Sequence, residues 1–264
     1  MRIGLLQFAP QVGETEKNIA KIQKLLDQSP IVDLWVLPEL ASSGYNFESR
    51  DEAVLCSESL NNSRFIHFLM ERATKTGAWF VSGINERNGD KLYNSSVMVN
   101  ADGVVGVYRK LHLFKNEKYF FEPGNLGLPV FDTPWGKIGM LVCFDWMFPE
   151  VWRLLALKGA QLVCHPSNLV LPWCQQATPG YALTNRIFVA TTNRIGHERG
   201  LDFTGRSQLV DPYGSIILQG KKRKKQTLVA DIDLAESLNK IMTSENHAFD
   251  DRRGDVYHLE LKVK

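Results

Sequence analysis

The chain has 264 residues, of which 44% are hydrophobic and 23% charged, an ordinary globular balance that excludes disorder and is long enough to bury a sizeable core. With 31 basic and 29 acidic residues the net charge is +2, so no global field draws the chain to nucleic acid, and its apolar runs are too short to span a membrane. The 4 cysteines, Cys56, Cys143, Cys164 and Cys174, lack the spacing of a disulfide framework, which points to reducing cytoplasm.

Residues 3–8 predict a buried strand reached directly from Met1, with no cleavable hydrophobic region of a signal peptide. Ile19, Ile22, Leu25 and Leu26 fall on one helical face, and 34–37 is the next strand, ending on Glu39. Phe65, Phe68, Leu69 and Ala73 repeat the helical spacing before a strand at 79–84. Between Leu92 and Arg109 the pattern is a hairpin turning at Asn100-Ala-Asp-Gly103, and its second strand runs into Lys110. A strand from Lys137 breaks at Cys143, and Pro149 opens a helix with Trp152, Leu155, Ala156 and Gly159 on one face. A strand at 162–165 follows, and Asp211-Pro-Tyr-Gly214 is a turn between two later strands. The basic run Lys221-Lys-Arg-Lys-Lys225 reads either as a nucleic-acid or targeting patch or, preferably, as a solvated hairpin tip, since Gly220 precedes it and 227–231 reads as a returning strand. No linker or short repeat interrupts the alternation, so 1–264 reads as a single layered α/β domain.

Three strand ends carry chemistry. A thiol at a strand-to-helix junction sits near unpaired N–H groups and a positive dipole end, both of which lower its pKa. The plainer reading of Cys143 is a buried small hydrophobe. An attacking thiolate needs a base for its proton and a cation for the oxyanion it creates. Glu39, Lys110 and Cys143 supply one of each, although either charged residue alone would read as a solvated loop end.

In this order the residues resemble the Glu–Lys–Cys set of the nitrilase superfamily, the carbon–nitrogen hydrolases. The resemblance covers nearly the whole chain, through Arg2-Ile-Gly-Leu-Leu-Gln7, Leu37-Pro-Glu39, Tyr108-Arg-Lys110-Leu-His-Leu-Phe114 and Glu117-Lys-Tyr-Phe-Phe-Glu-Pro123-Gly124. It continues in Cys143-Phe-Asp145, Phe148-Pro-Glu150, His165-Pro-Ser-Asn168 and Asn185-Arg-Ile-Phe-Val-Ala-Thr-Thr-Asn193-Arg194.

The resemblance implies a four-layer αββα sandwich and a second glutamate beside the lysine, matched best by Glu117, with Glu122 its rival. It also implies a homodimer or higher homo-oligomer, with the tail at about 245–264 crossing the interface. The implied reaction is hydrolysis of a small aliphatic amide or N-carbamoyl amine through a thioester, with release of ammonia. The alternatives are a nitrilase acting on small aliphatic nitriles and a catalytically inactive binding or scaffold member. Strict nitrilases have Cys-Trp-Glu where this chain has Cys143-Phe144-Asp145, which lowers the nitrile reading, and Thr184 stands where many relatives have glutamate. Tyr45, Phe144, Trp146, Asn168 and Trp173 are the expected substrate-binding residues, Phe144 through its backbone N–H.

The remaining readings are negative. The 6 histidines form no His-x-x-x-His pair and the cysteines no Cys-x-x-Cys pair, so no metal is expected, and His112 reads as support beside Lys110. A Cys–His nucleophile pair, adjacent only in space, would explain neither Glu39 nor Lys110. Other thiol amidases place their cysteine in a glycine-flanked elbow, whereas Val142 and Phe144 flank Cys143, which argues against that class. With no phosphate-binding glycine fingerprint, no cofactor is expected. The expected partner is a small-molecule substrate, without nucleic acid or membrane.

Overall fold

The computed structural model describes residues 1–257. Its first half runs β1 (Arg2–Gln7), α1 (Thr15–Asp27), β2 (Leu34–Val36), α2 (Arg50–Leu55), α3 (Arg64–Thr76), β3 (Trp79–Asn88), β4 (Lys91–Asn100), β5 (Gly103–Arg109) and the short α4 (Glu117–Phe120). The second half begins with β6 (Val130–Thr133), β7 (Gly136–Met140), α5 (Pro149–Leu157), β8 (Leu162–Ser167), α6 (Trp173–Asn185) and β9 (Phe188–Asn193). It closes with β10 (Ile195–Glu198), β11 (Leu201–Thr204), β12 (Gln208–Val210), β13 (Ile216–Gln219) and β14 (Gln226–Asp231).

The strands form two six-stranded sheets, ordered β14-β1-β2-β3-β4-β5 and β13-β12-β9-β8-β7-β6, with β10 and β11 as a separate ribbon. Side chains alternate across each strand. Ile3, Leu5, Leu34, Val36 and Val81 therefore leave one face of the first sheet and share a core with Ile138, Met140 and Cys164 of the second. Leu6, Trp35 and Phe80 leave the other face and pack on Ile22, Leu25, Phe65 and Leu69 of α1 and α3. Fully burying one such side chain contributes about 1.5–3 kcal/mol. Beyond the second sheet, Trp152 and Leu155 of α5 and Cys174 and Ala182 of α6 complete the order helix, sheet, sheet, helix. This is the αββα sandwich. Gly4 makes the first helix-facing layer possible, because a Cβ there would lie 2.3 Å from the Trp35 ring.

The hairpin turns where expected, with Asn100 Oδ1 accepting the Asp102 and Gly103 N–H groups at 2.9 and 3.1 Å. Strand β3 runs past Ile84 to Asn88, because Glu86 is buried against Arg109 and accepts from Ser95 Oγ at 2.5 Å. The basic run is not a hairpin tip. β13 and β14 belong to different sheets, so 221–225 is an exposed crossover between them, pinned by Gln7 Nε2 donating to the carbonyls of Lys221 and Lys224 at 2.8 and 2.7 Å. Among the described residues no helix is long and apolar enough to cross a membrane, and no cluster of metal-ligating side chains occurs. Of the tail at 245–264, residues 258–264 lie outside the described residues.

Candidate active site

Glu39 follows β2 on a turn stitched to β3: Gly83 N–H donates to Pro38 O, and Ala41 N–H to Gly83 O, both at 3.1 Å. A Cβ on Gly83 would lie 2.4 Å from Glu39 Cα, so glycine is what lets the glutamate backbone lie against the strand. Lys110 follows β5 directly. Its N–H donates to Asn94 O, and its carbonyl accepts from Gly124, each at 2.9 Å. Gly124 is equally constrained, since a Cβ there would sit 2.0 Å from Arg109 O.

These two strand ends bring their side chains together in a fully enclosed ion cluster. Lys110 Nζ donates to Glu39 Oε1 and to Glu117 Oε1, both at 2.8 Å, with Lys110 and Glu39 0% exposed. Neither is a solvated loop end. Asn94 Nδ2 donates to Glu39 Oε1 at 2.7 Å, Tyr45 Oη to Glu117 Oε1 at 2.7 Å, and Phe114 N–H to Glu117 Oε2 at 3.2 Å. Among the described residues Glu39 Oε2 is buried without a partner. Glu122 is exposed, so Glu117 and not its rival reaches the lysine.

Cys143 opens a single 3-10 turn, Cys143–Met147, ahead of α5. Its own φ is +44°, a left-handed conformation that costs a non-glycine residue about 1–3 kcal/mol. The backbone thus turns sharply at Cys143 without flanking glycines. Asp145 holds the turn by accepting Val142 N–H at 3.0 Å, Tyr108 Oη at 2.7 Å and His112 Nδ1 at 2.8 Å. His112, beside Lys110 in the chain, therefore has a structural role, bracing Asp145 and stacking on Phe148. On the far side His165 Nε2 lies 2.8 Å from Cys143 O. A carbonyl only accepts, so the proton is on Nε2, and Nδ1 accepts from Thr191 Oγ1 at 3.1 Å.

Electrostatics reverse the expectation of an acidified thiol. Burial and then the Glu39 carboxylate push the Cys143 pKa well above its ordinary value, with Glu117 adding to them and Lys110 opposing. A five-residue 3-10 turn carries too little dipole to compensate. The resting thiol is neutral. For Lys110, burial opposes the charge, but Glu117 and Glu39 outweigh it and hold the ammonium firmly protonated. Burial, followed by Glu39, raises Glu117 against the pull of Lys110.

Cys143 opens on a cavity of about 280 Å³ lined also by Phe144, Trp146, Asn168 and Trp173, with Phe114, Met147 and the 169–171 segment. Four of the five expected substrate-side residues are therefore together. Tyr45 is not among them, because its loop carries it to the Glu117 side, where it lines a cavity of about 240 Å³ with Lys115, Asn116 and Arg199. A larger cavity of about 670 Å³, rimmed by Arg206, Lys222 and Arg223, contains none of the ion cluster. Thr184 is exposed on α6, away from the cavity, and its carbonyl accepts from Arg153.

Sequence reasoning missed Asn94, Arg194 and Glu198. Glu198 is buried, pairs with Arg194 Nη1 at 2.9 Å, and accepts the N–H groups of Tyr45 at 3.1 Å and Asn46 at 2.9 Å. Their polar types in strands or loops carried no signal; only the fold brings 45 and 198 together.

A model of the carbon–nitrogen hydrolase family matches residues 2–238. A nitrilase of Pyrococcus abyssi is 42% identical over 259 residues, 97% of this chain and 99% of that one. A 2-oxoglutaramate amidase of Bacillus subtilis is 31% identical over 264 residues, covering 97% and 98%. The crystal structure of a carbon–nitrogen hydrolase from Helicobacter pylori G27 superposes with a TM-score of 0.88 at 27% identity, covering 99% and 98%. The chain belongs to the carbon–nitrogen hydrolase family, the nitrilase superfamily, and is a carbon–nitrogen hydrolase.

Proposed function

We propose that the chain hydrolyses a small aliphatic amide or N-carbamoyl amine through a thioester on Cys143, releasing ammonia. The observation that carries this reading is Lys110 held at 2.8 Å by both Glu39 and Glu117, in an enclosed cluster whose charges act on the Cys143 thiol. Because the resting thiol is neutral, attack requires a base. Glu39, with one oxygen unpartnered among the described residues, takes the proton as the sulfur bonds to the carbonyl carbon. Lys110 and the backbone N–H of Phe144 hold the resulting oxyanion; losing one such donor costs about 3–4 kcal/mol. The C–N bond then breaks, and Glu39 returns the proton to the departing nitrogen. Water deprotonated by Glu39 attacks the thioester, and the acid leaves with the thiol restored. Glu117 keeps Lys110 charged and in place, and Tyr45 keeps Glu117 oriented.

A second reading, nitrile hydrolysis, is favoured by the relative named nitrilase at 42% identity, and the relative named 2-oxoglutaramate amidase favours the amide. Nitrile attack builds charge on nitrogen, which must be protonated, whereas amide attack builds it on oxygen, which Lys110 suits. Ammonia release from matched amide and nitrile pairs tests the choice. An amide kcat/KM at least about tenfold above that of its nitrile supports the proposal, and equal or better nitrile turnover overturns it. The proposal includes a homodimer or larger homo-oligomer joined through the tail, supported by exposed Ile241, Met242, Val256 and Tyr257. Light scattering on the intact chain checks it.

A further inference from the structure

Among the described residues, the cavity onto which Cys143 opens carries no acid, lysine, arginine or histidine in its lining; apart from Cys143 and Asn168 its described wall is hydrocarbon, thioether and indole. Its mouth is equally apolar, for Met147, Leu171 and Trp173 are 52%, 41% and 55% exposed. Large apolar side chains left open around a concave site mark it as a place for an apolar group. The volume, about 280 Å³, exceeds the roughly 150 Å³ in which a dry protein cavity holds benzene. There is room for a ring and the carbon that joins it to an amide.

The floor holds the polar end. Asn168 is 2% exposed. Its Nδ2 donates to Glu39 O at 3.0 Å, and since a carbonyl cannot donate, this bond fixes which end of the side-chain amide is which. Among the described residues Asn168 Oδ1 is left buried without a partner, as is Glu39 Oε2. Asn168 belongs to the cavity lining, so its Oδ1 is an acceptor there for an N–H donor of a primary amide. A nitrile brings none.

We infer that the substrate is a primary amide with an uncharged, apolar acyl group of about phenylacetyl size, the group filling the Cys143 cavity and the NH2 read by Asn168 Oδ1. This rests on the assignment of Cys143 as nucleophile. A carboxylate or ammonium on the acyl chain would enter that cavity stripped of water and unpaired, which is strongly unfavourable. A charged chain would instead need the polar cavity of Lys115 and Arg199 on the Glu117 side, which Cys143 does not line.

The test is kcat/KM of the full chain for acetamide, phenylacetamide, and two linear amides of similar length ending in a carboxylate or an ammonium. Phenylacetamide is expected at least about 100-fold above either charged amide, equivalent to about 2.7 kcal/mol at 1.36 kcal/mol per tenfold. Leu171→Arg, at the exposed rim where the fold tolerates it, is expected to lower that ratio at least about tenfold by admitting the carboxylate. Acetamide turnover with no preference for phenylacetamide, or an unchanged ratio in Leu171→Arg, overturns this inference and leaves the proposed function standing. Failure of every amide, with no acyl adduct on Cys143, overturns both.

Discussion

Tyr45 Oη lies 2.7 Å from Glu117 Oε1, the oxygen that also receives Lys110 Nζ at 2.8 Å. The tyrosine is itself anchored from 153 residues away, where Glu198 accepts its backbone N–H. The lysine's placement therefore depends on a relay that begins outside the cavity in which the reaction is proposed to occur.

Removing the hydroxyl should leave Glu117 easier to protonate, because the Tyr45 hydrogen bond lowers its pKa while burial raises it. Tyr45→Phe is expected to move the acid limb of kcat/KM to higher pH by about one unit, the size expected of a hydrogen bond to a charged group. Glu198→Gln should move it in the same direction by less. A pH–rate profile with an unmoved acid limb in Tyr45→Phe would remove the tyrosine from the mechanism.

Glu39→Gln keeps the Lys110 contact in shape but cannot take a proton. With a thiol whose pKa is raised by burial and by Glu39 itself, a base is needed more than it would be beside a thiolate. Turnover is expected to fall about 10²–10⁴-fold, with the circular dichroism of the fold unchanged. Near-normal ammonia release would mean that another group takes the proton.

Lys110 is enclosed on all sides and bonded to two carboxylate oxygens. Arginine keeps the charge, but its planar guanidinium does not fit the space of a compact ammonium. Lys110→Arg is expected to be nearly as inactive as Lys110→Ala, with both below about 1% of the parent rate given the cost of a lost oxyanion donor. A Lys110→Arg enzyme within tenfold of the parent would show that charge alone suffices.

His165 gives a pH dependence of stability. Burial lowers its pKa from 6.5 to about 4, so the folded chain holds it neutral where the unfolded chain would protonate it. Its contribution is full above pH 6.5 and is lost as pH falls through about 4. Thermal unfolding between pH 8 and 4 should show a shallower acid loss in His165→Gln than in the parent. Parallel curves for the two proteins would contradict the assignment.

The strand ends were legible because each couples an apolar run to a single charged or thiol side chain, and Glu39, Lys110 and Cys143 meet the eye in that pattern. The pairing of strands was less so. Residues 227–231 read correctly as a strand, but its partner is β1, over 200 residues away, and not the neighbouring β13. The direction of the thiol's pKa was hidden for the same reason. Local sequence shows the turn after Cys143, whereas burial and the approach of Glu39 arise only from the packed sheets. Tyr45 was found as a candidate but on the wrong side of the cluster, and Glu198 was invisible because a buried acid is recognised only beside its partner, Arg194.

The central claim is a covalent acyl group on Cys143. Acid-quenched intact-mass spectrometry during hydrolysis of a primary amide tests it directly. The predicted result is a gain equal to the amide less ammonia, located on the peptide containing Cys143 and absent from Cys143→Ala, which should also release no ammonia. Turnover that persists in Cys143→Ala, or an adduct on Cys56, Cys164 or Cys174 whose replacement abolishes activity, would contradict it.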